Sequence, residues 1–236
     1  MERDDTPVGC LLRRREVLAL IGAGLLAPGF RVGAQERATC VARPQQMEGP
    51  FFVDTGLNRS DIRSDPATGA VSAGLPLQVT FRVSRPGAGG CSPLPAAHVE
   101  LWQCDAAGVY SGVRDGDSKA AGQKFLRGYQ VTDGSGAASF RTIYPGWYPG
   151  RTVHLHFTIR AGSSPGRREE FSSQLYFDDA LTDKVHALAP YASRGPRRVR
   201  NAADGLYRSG GSQLLLAVTE QGSGLAAAFD IGLQAG

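Results

Sequence analysis

The segment PGWYPGRTVHLHF, residues 145–157, brings a phenol (Tyr148), a guanidinium (Arg151) and two imidazoles (His154 and His156) into one short run. Half of the chain's four histidines stand here, two positions apart. On a β-strand that spacing points both rings from the same face, about 7 Å apart along the chain, close enough to tilt onto one metal ion. The competing reading is two imidazoles satisfied by hydrogen bonds at a sheet surface, because a buried polar ring without a partner is costly. A His-x-His site completed by a nearby glutamate is excluded, since residues 157–166 contain no acidic side chain. Further ligands must come from elsewhere. Tyr148 lies six residues before His154, and Tyr110 sits in the loop sequence GVYSG. A phenolate is a hard anionic oxygen donor, which favours a ferric ion over zinc or copper(I).

The element that must hold the histidines is TVHLHFTIR (152–160), a strand whose Val153, Leu155 and Phe157 mark the opposite face as the packed one. LQVTFRVS (77–84) alternates in the same way, with Leu77, Val79, Phe81 and Val83 on one side. AHVELWQC (97–104), FLRGYQVT (125–132), AASFRTIY (137–144) and SSQLYF (172–177) are further strands, and TDGSG makes the tight turn before AASFRTIY. SQLLLAVT and LAAAFDIGL, joined by EQGSG, read as a closing hairpin. DDALTDKVHALA (178–189) is the one helical pattern, capped by Asp178 and burying Leu181, Val185 and Leu188. Residues 35–76 are too rich in Gly and Pro for regular elements, and 108–125 is a long loop. The expected fold is all-β: a single β-sandwich of about eight strands with long loops and one short helix.

Composition agrees. The 31 glycines and 14 prolines suit short strands and many turns, and the net charge of +4 is spread without a basic, aromatic-interleaved run, which argues against nucleic acid as a partner. The N-terminus reads as an address. Arg13, Arg14 and Arg15 precede VLALIGAGLLAPGF, an apolar run too short and Gly-rich to span a bilayer, and Val32 and Ala34 suit cleavage after Ala34. Residues 1–34 are therefore expected to be a twin-arginine-type signal, with the folded domain at 35–236 and an exported, periplasmic or extracellular destination.

Four separated stretches resemble one family: EGPFF (48–52), AHVELWQCDAAGVYSG (97–112), GYQVTDGSGAASFRTIYPGWYPGRTVHLHF (128–157) and QLYF (174–177) are similar to intradiol ring-cleavage dioxygenases. The similarity runs in order from about Cys40 to Gly232. It implies a non-haem Fe(III) held by Tyr110, Tyr148, His154 and His156, and a catechol-type substrate cleaved with O2 to a cis,cis-muconate-type diacid. It also implies that Tyr148 leaves the metal and takes a substrate proton, that Arg151 stabilises charge on the ring, and that Gln174 orients the substrate. The two residues between Tyr148 and Arg151 make a shorter connection than protocatechuate-type enzymes have. A binding module that kept the scaffold and lost the chemistry is the alternative, and a zinc or copper enzyme is another. Tyr129 and Tyr144 read as packing residues and Trp102 as core. Trp147 is a candidate pocket wall, and Glu48 carries no assigned role.

Cys10 falls in the signal, leaving Cys40, Cys91 and Cys104 for at most one disulfide. Cys91 precedes strand 97–104 and Cys104 ends it, so a bond between them would need the loop to run back along the strand. The resemblance places EGPFF near the site mouth, which makes Cys40–Cys104 the expected pair, with three free thiols as the alternative.

Overall fold

Alternating burial in PLQVTFRVSRPG fixes the first strand of the computed structural model, which describes residues 40–87, 90–113, 120–164 and 167–233. β1 (Pro76–Gly87) turns Leu77, Val79, Phe81 and Val83 inward. It pairs antiparallel with β2 (Gly90–Pro93) and β5 (Ala137–Ile143), and parallel with β9 (Gly224–Gly232), which in turn pairs with β8 (Val218–Gln221). The second sheet is fully antiparallel, in the order β4 (Arg127–Val131), β3 (His98–Trp102), β6 (His154–Ser164), β7 (Arg167–Tyr176). The two sheets meet through aromatic side chains: Phe81 of β1 lies 5.2 Å from Phe157 of β6, and Phe229 of β9 lies 5.5 Å from Phe157. Each such buried ring contributes roughly 2–3 kcal/mol relative to exposure. The β-sandwich is the expected one, with nine strands among the described residues.

The helix starts as expected and ends early. Asp178 accepts the amides of Ala180 and Leu181 at the head of α1 (Asp179–His186), with Val185 buried. Leu188 lies beyond its end and is 54% exposed, because the chain turns away before Pro190. A second short helix, α2 (Gly205–Arg208), is capped by Asp204. The stretch expected as strand 212–219 is instead a 3-10 turn over Gly211–Leu214, with pairing delayed to β8. Leu214 is anchored in the core there, so burial of one leucine outweighs the strand propensity of its neighbours.

The cysteine expectation is overturned. Cys40 bonds Cys91, with Cα atoms 5.1 Å apart, and Cys104 is a free buried thiol. The reason is where the N-terminal strap arrives. The Gly232 amide donates to the Val41 carbonyl, which seats Cys40 beside β9 and the β1–β2 hairpin. Cys104 lies at the other end of its strand, its thiol directed to the Gly146 carbonyl. The described residues lie within a compact unit, 37–236, and hold no helix long and apolar enough to cross a membrane. The expected signal, 1–34, lies outside the described residues.

Joining residues 51 apart, the disulfide should stabilise by about 4 kcal/mol through the unfolded chain. Cys40→Ser with Cys91→Ser is expected to lower the urea midpoint accordingly. Non-reducing peptide mapping should yield a Cys40–Cys91 cross-link and no cross-linked Cys104.

Candidate active site

Strand register builds the site. Across the second sheet Arg127 faces Trp102, Trp102 faces His156, and His156 faces Gln174; one step along, His154 faces Tyr176. Directly opposed residues share a face, so these side chains all project outward, away from Leu155 and Phe157. The two tyrosines reach this face from loops. Asp105 accepts the Ala107 and Val109 amides, closing the turn that delivers Tyr110. The Gly146 amide donates to the Asp105 carbonyl, which ties the Tyr148 segment to the same turn.

Four donors converge. His154 Nε2 and His156 Nε2 are 3.0 Å apart, and Tyr148 Oη is 3.1 Å from His154 Nε2. The Tyr110 ring lies 5.6 Å from that of Tyr148 and 6.0 Å from that of His156. His154 Nδ1 donates to the Thr152 carbonyl at 2.6 Å, which leaves the Nε2 lone pair facing the centre. The Tyr110 hydroxyl is buried without a hydrogen-bond partner.

The cover over this face is close-fitting. Gly49, at φ +84°, passes so near His156 that a Cβ would sit 3.1 Å from the ring. A side chain at that point of EGPFF would be strained by the backbone angle and would have to push the ring aside. Phe51 stacks on Tyr110 at 4.4 Å and meets Tyr148 edge-on at 5.6 Å. Trp102 is buried, as expected, but on the site face: its indole stacks on His156 at 5.2 Å, nearly parallel, with Phe52 against its edge. Trp147 instead donates its indole N–H to the Gly195 carbonyl and carries the Arg194 guanidinium over its ring. Tyr144 bonds Thr182 and Tyr129 stacks on His98, so both phenols pack as expected.

Arg151 is fixed from two sides. Its Nε donates to Asp204 at 2.7 Å and its Nη2 to Gln174 Oε1 at 2.5 Å. Gln174 donates in turn to the Met47 carbonyl, and its Oε1 lies 3.1 Å from the Tyr176 hydroxyl, which donates its one proton to Gln46 Oε1 at 2.7 Å. Burial works against the Asp204 charge, but the Arg151 guanidinium and the Thr152 and Tyr207 amides outweigh it and hold the carboxyl below its usual range.

Burial also sets the protonation of the donors. It pushes the His154 imidazole down to about 3, helped by the Arg151 charge, and His156 well below its ordinary value. Burial raises the Tyr148 phenol to about 12 and the Tyr110 phenol well above its ordinary value. Neutral imidazoles and phenols that lose protons only to a strong Lewis acid are what a metal centre requires. Two donors about 2.1 Å from one ion at 90–109° stand about 3.0–3.4 Å apart, which the measured separations match. Among the described residues no three of His, Cys, Asp and Glu gather at one point, so a metal here must draw on the phenols. Two oxygen and two imidazole donors suit a hard ferric ion.

The chain matches the dioxygenase family model over residues 47–234. A solved structure described as an intradiol ring-cleavage dioxygenase from Tetranychus urticae superposes with a TM-score of 0.69 at 30% identity, covering 83% of this chain and 94% of that one. The chain belongs to the intradiol ring-cleavage dioxygenase family. It is 32% identical to a hydroxyquinol 1,2-dioxygenase of Nocardioides simplex over 72% of this chain and 60% of that protein, so it spans less than two thirds of that relative's length. It is 34% identical to a protocatechuate 3,4-dioxygenase beta chain of Burkholderia cepacia, over 77% and 74%.

All six site residues read from the sequence meet on this face of the dioxygenase fold. Asp204, Phe51, Gln46 and Tyr176 were not found from sequence. Asp204 looks like any helix cap in AADGLY, and nothing local reports that its second carboxylate oxygen reaches Arg151.

The depressed histidines predict acid sensitivity in the metal-free protein. Between about pH 6.5 and 3 the unfolded chain takes up protons that native His154 and His156 refuse, so stability is full above this window and falls as pH drops through it. The slope is on the order of 1 kcal/mol per pH unit for each imidazole. Urea midpoints measured across the window should show it, and His154→Asn with His156→Asn should flatten it.

Proposed function

We propose that this chain is a non-haem ferric dioxygenase that inserts both atoms of O2 into a catechol-type diphenol, cleaving the ring between the hydroxylated carbons to a cis,cis-muconate-type diacid. The observation that carries the reading is the convergence of Nε2 of His154 and of His156 with the phenol oxygen of Tyr148, with buried Tyr110 closing the set. Tyr110, Tyr148, His154 and His156 would hold a ferric ion there, and it would supply Lewis acidity toward the two catechol oxygens and the redox chemistry that opens the ring carbons bearing them to dioxygen.

The protein's own part follows from its contacts. Tyr148 is the half-buried phenol, next to Arg151 and the solvent side, so its oxygen is the one placed to receive a substrate hydroxyl proton. Tyr110 is deeply buried and is the fixed member. Arg151 brings a guanidinium whose direction is set by Asp204 and Gln174, so negative charge building on the substrate meets a preoriented donor. Gln174 is held by the Met47 carbonyl and Arg151, and it fixes the substrate's orientation from the β7 side. Phe51 and Trp102 wall the site with rings that exclude water. Relatives named for hydroxyquinol and protocatechuate support a diphenol substrate.

Export is proposed on the arginine-led apolar N-terminus, and the Cys40–Cys91 disulfide supports an oxidising destination.

The iron-loaded protein should absorb visible light through tyrosinate-to-ferric charge transfer and consume oxygen with catechol, protocatechuate or hydroxyquinol. A metal-replete protein that is colourless and consumes no oxygen would instead be a binding module or a zinc enzyme. His154→Ala and His156→Ala should lose iron. Tyr148→Phe should keep most of it while turnover falls by roughly 10²- to 10⁴-fold, the usual scale for a lost proton acceptor. Arg151→Ala should keep iron and colour and slow the oxygen-dependent step. Equal iron loss in all ligand variants would remove the separate role of Tyr148.

A further inference from the structure

Arg127 stands in the same cross-strand row as Trp102, His156 and Gln174, yet no step above uses it. It is 1% exposed. Its Nε donates to the Ser111 carbonyl at 2.8 Å and to the Ser111 hydroxyl at 3.1 Å, and its Nη2 donates to the same carbonyl at 2.6 Å. Ser111 directly follows Tyr110, and the guanidinium carbon lies 6.0 Å from the Tyr110 ring centre. Nη1 is buried with no hydrogen-bond partner.

The contrast with Arg151 is informative. Each tyrosine of the centre has an arginine beside it, but Arg151 is neutralised by Asp204 at 2.7 Å. Among the described residues Arg127 makes no ion pair. Glu100, whose charge reaches it, is committed to Arg160 at 2.8 Å. A buried cation held only by the neutral carbonyl and hydroxyl of one serine is costly, and removing it from water without an anion is seldom tolerated. Tyr110 presents the complementary defect, a buried hydroxyl with no partner. The two unsatisfied groups lie on neighbouring side chains.

We propose that Arg127 is the counter-cation of a metal-bound Tyr110: a positioning residue that clamps the Tyr110 loop through the Ser111 carbonyl and sets a positive charge against the ligand. This rests on the ferric reading above. It gives a physical reason for the two phenols to differ, since Tyr110 sits against an uncompensated charge and Tyr148 against a compensated one. Coordination by Tyr110 is thereby favoured throughout, while Tyr148 is the easier of the two to release.

Charge and clamp can be separated in the iron-loaded full chain. Arg127→Lys keeps the charge and loses the two-pronged hold on Ser111, whereas Arg127→Gln keeps one donor to Ser111 and loses the charge. Iron affinity, the tyrosinate charge-transfer band and tyrosinate resonance-Raman bands are read for each, with circular dichroism confirming the fold. Arg127→Gln is expected to bind iron at least 10-fold more weakly, with its band moved to lower energy, and Arg127→Lys to keep the band near wild type. In a Tyr110→Phe background the effect of Arg127→Gln on iron affinity should largely vanish, because the charge then has no ligand to serve. A folded Arg127→Gln protein with wild-type band energy and iron affinity overturns the proposal, as does an equal loss in the Tyr110→Phe background. If Arg127→Gln does not fold, Arg127→Lys decides: a wild-type band supports the proposal, and a band shifted as far as that of an iron-loaded Tyr110→Phe protein overturns it. A wild-type protein that binds no iron and shows no band fails at the ferric reading, before any Arg127 variant is compared.

Discussion

One strand buried on both faces is the constraint from which the rest follows. An antiparallel strand in a sandwich ordinarily packs one face and wets the other, but Thr152 to Ile159 is buried throughout. The inner face is simple, with Leu155, Phe157 and Ile159 filling the space between the sheets. The outer face carries His154, His156 and Thr158, and each must find a polar partner or a metal in a layer that also excludes water. Thr158 finds Ser172 at 2.8 Å, and His154 finds the Thr152 carbonyl. The two Nε2 atoms find only each other and the Tyr148 phenol, the Tyr110 hydroxyl finds no hydrogen-bond partner, and that shortfall is what marks the centre.

The covering layer has no sheet of its own. It is assembled from the strap around residues 40–52, the Tyr110 loop, and the segment that includes Gly195 and Asp204, so each piece must be pinned separately. The Asp105 carbonyl joins the two tyrosine segments, Arg194 holds the Trp147 carbonyl, and Asp204 fastens Arg151 and the Thr152 amide. The cations among these pins also act on the site at a distance. Arg151 presses both histidines toward neutrality, and Arg127 presses His156, behind the larger effect of burial. In a dry pocket the same positive field favours anionic ligands, which makes phenolate donors and the proposed catecholate substrate mutually consistent with it.

How much of this could be read from the sequence depended on how local each cause was. Period-two alternation in LQVTFRVS and TVHLHFTIR reports which face is buried, so the sandwich and the shared face of the histidines were legible. Tyr110, Arg151 and Gln174 were legible only because four stretches, in order, resemble one family; no periodicity points to them. Asp204 was not legible, because its bond to Arg151 spans 53 positions and its capping role explains it locally without remainder. Trp102 was read as core from its neighbours Val99 and Leu101, yet alternation puts it on the opposite face from them. The rule that identified the histidines' face applied equally to β3 and would have set the indole against His156.

The cysteines show a different limit, since pairing is decided by where a segment without regular structure travels. The strap begins at the edge of the first sheet, where Val41 meets Gly232 and Arg43 reaches the Asp230 carbonyl. It crosses to the edge of the second, where Pro44 accepts from Ser173 and the Gln46 amide donates to Ser172. Only then does it reach Gln174 with the Met47 carbonyl and His156 with Gly49. A Cys40–Cys104 bond would have put the covalent anchor beneath Tyr110, at the end of the strap that must fit around the centre. Cys40–Cys91 puts it at the far end, so the strap is tethered covalently where it enters and held over the site by a carbonyl, a close glycine and the Phe51 stack.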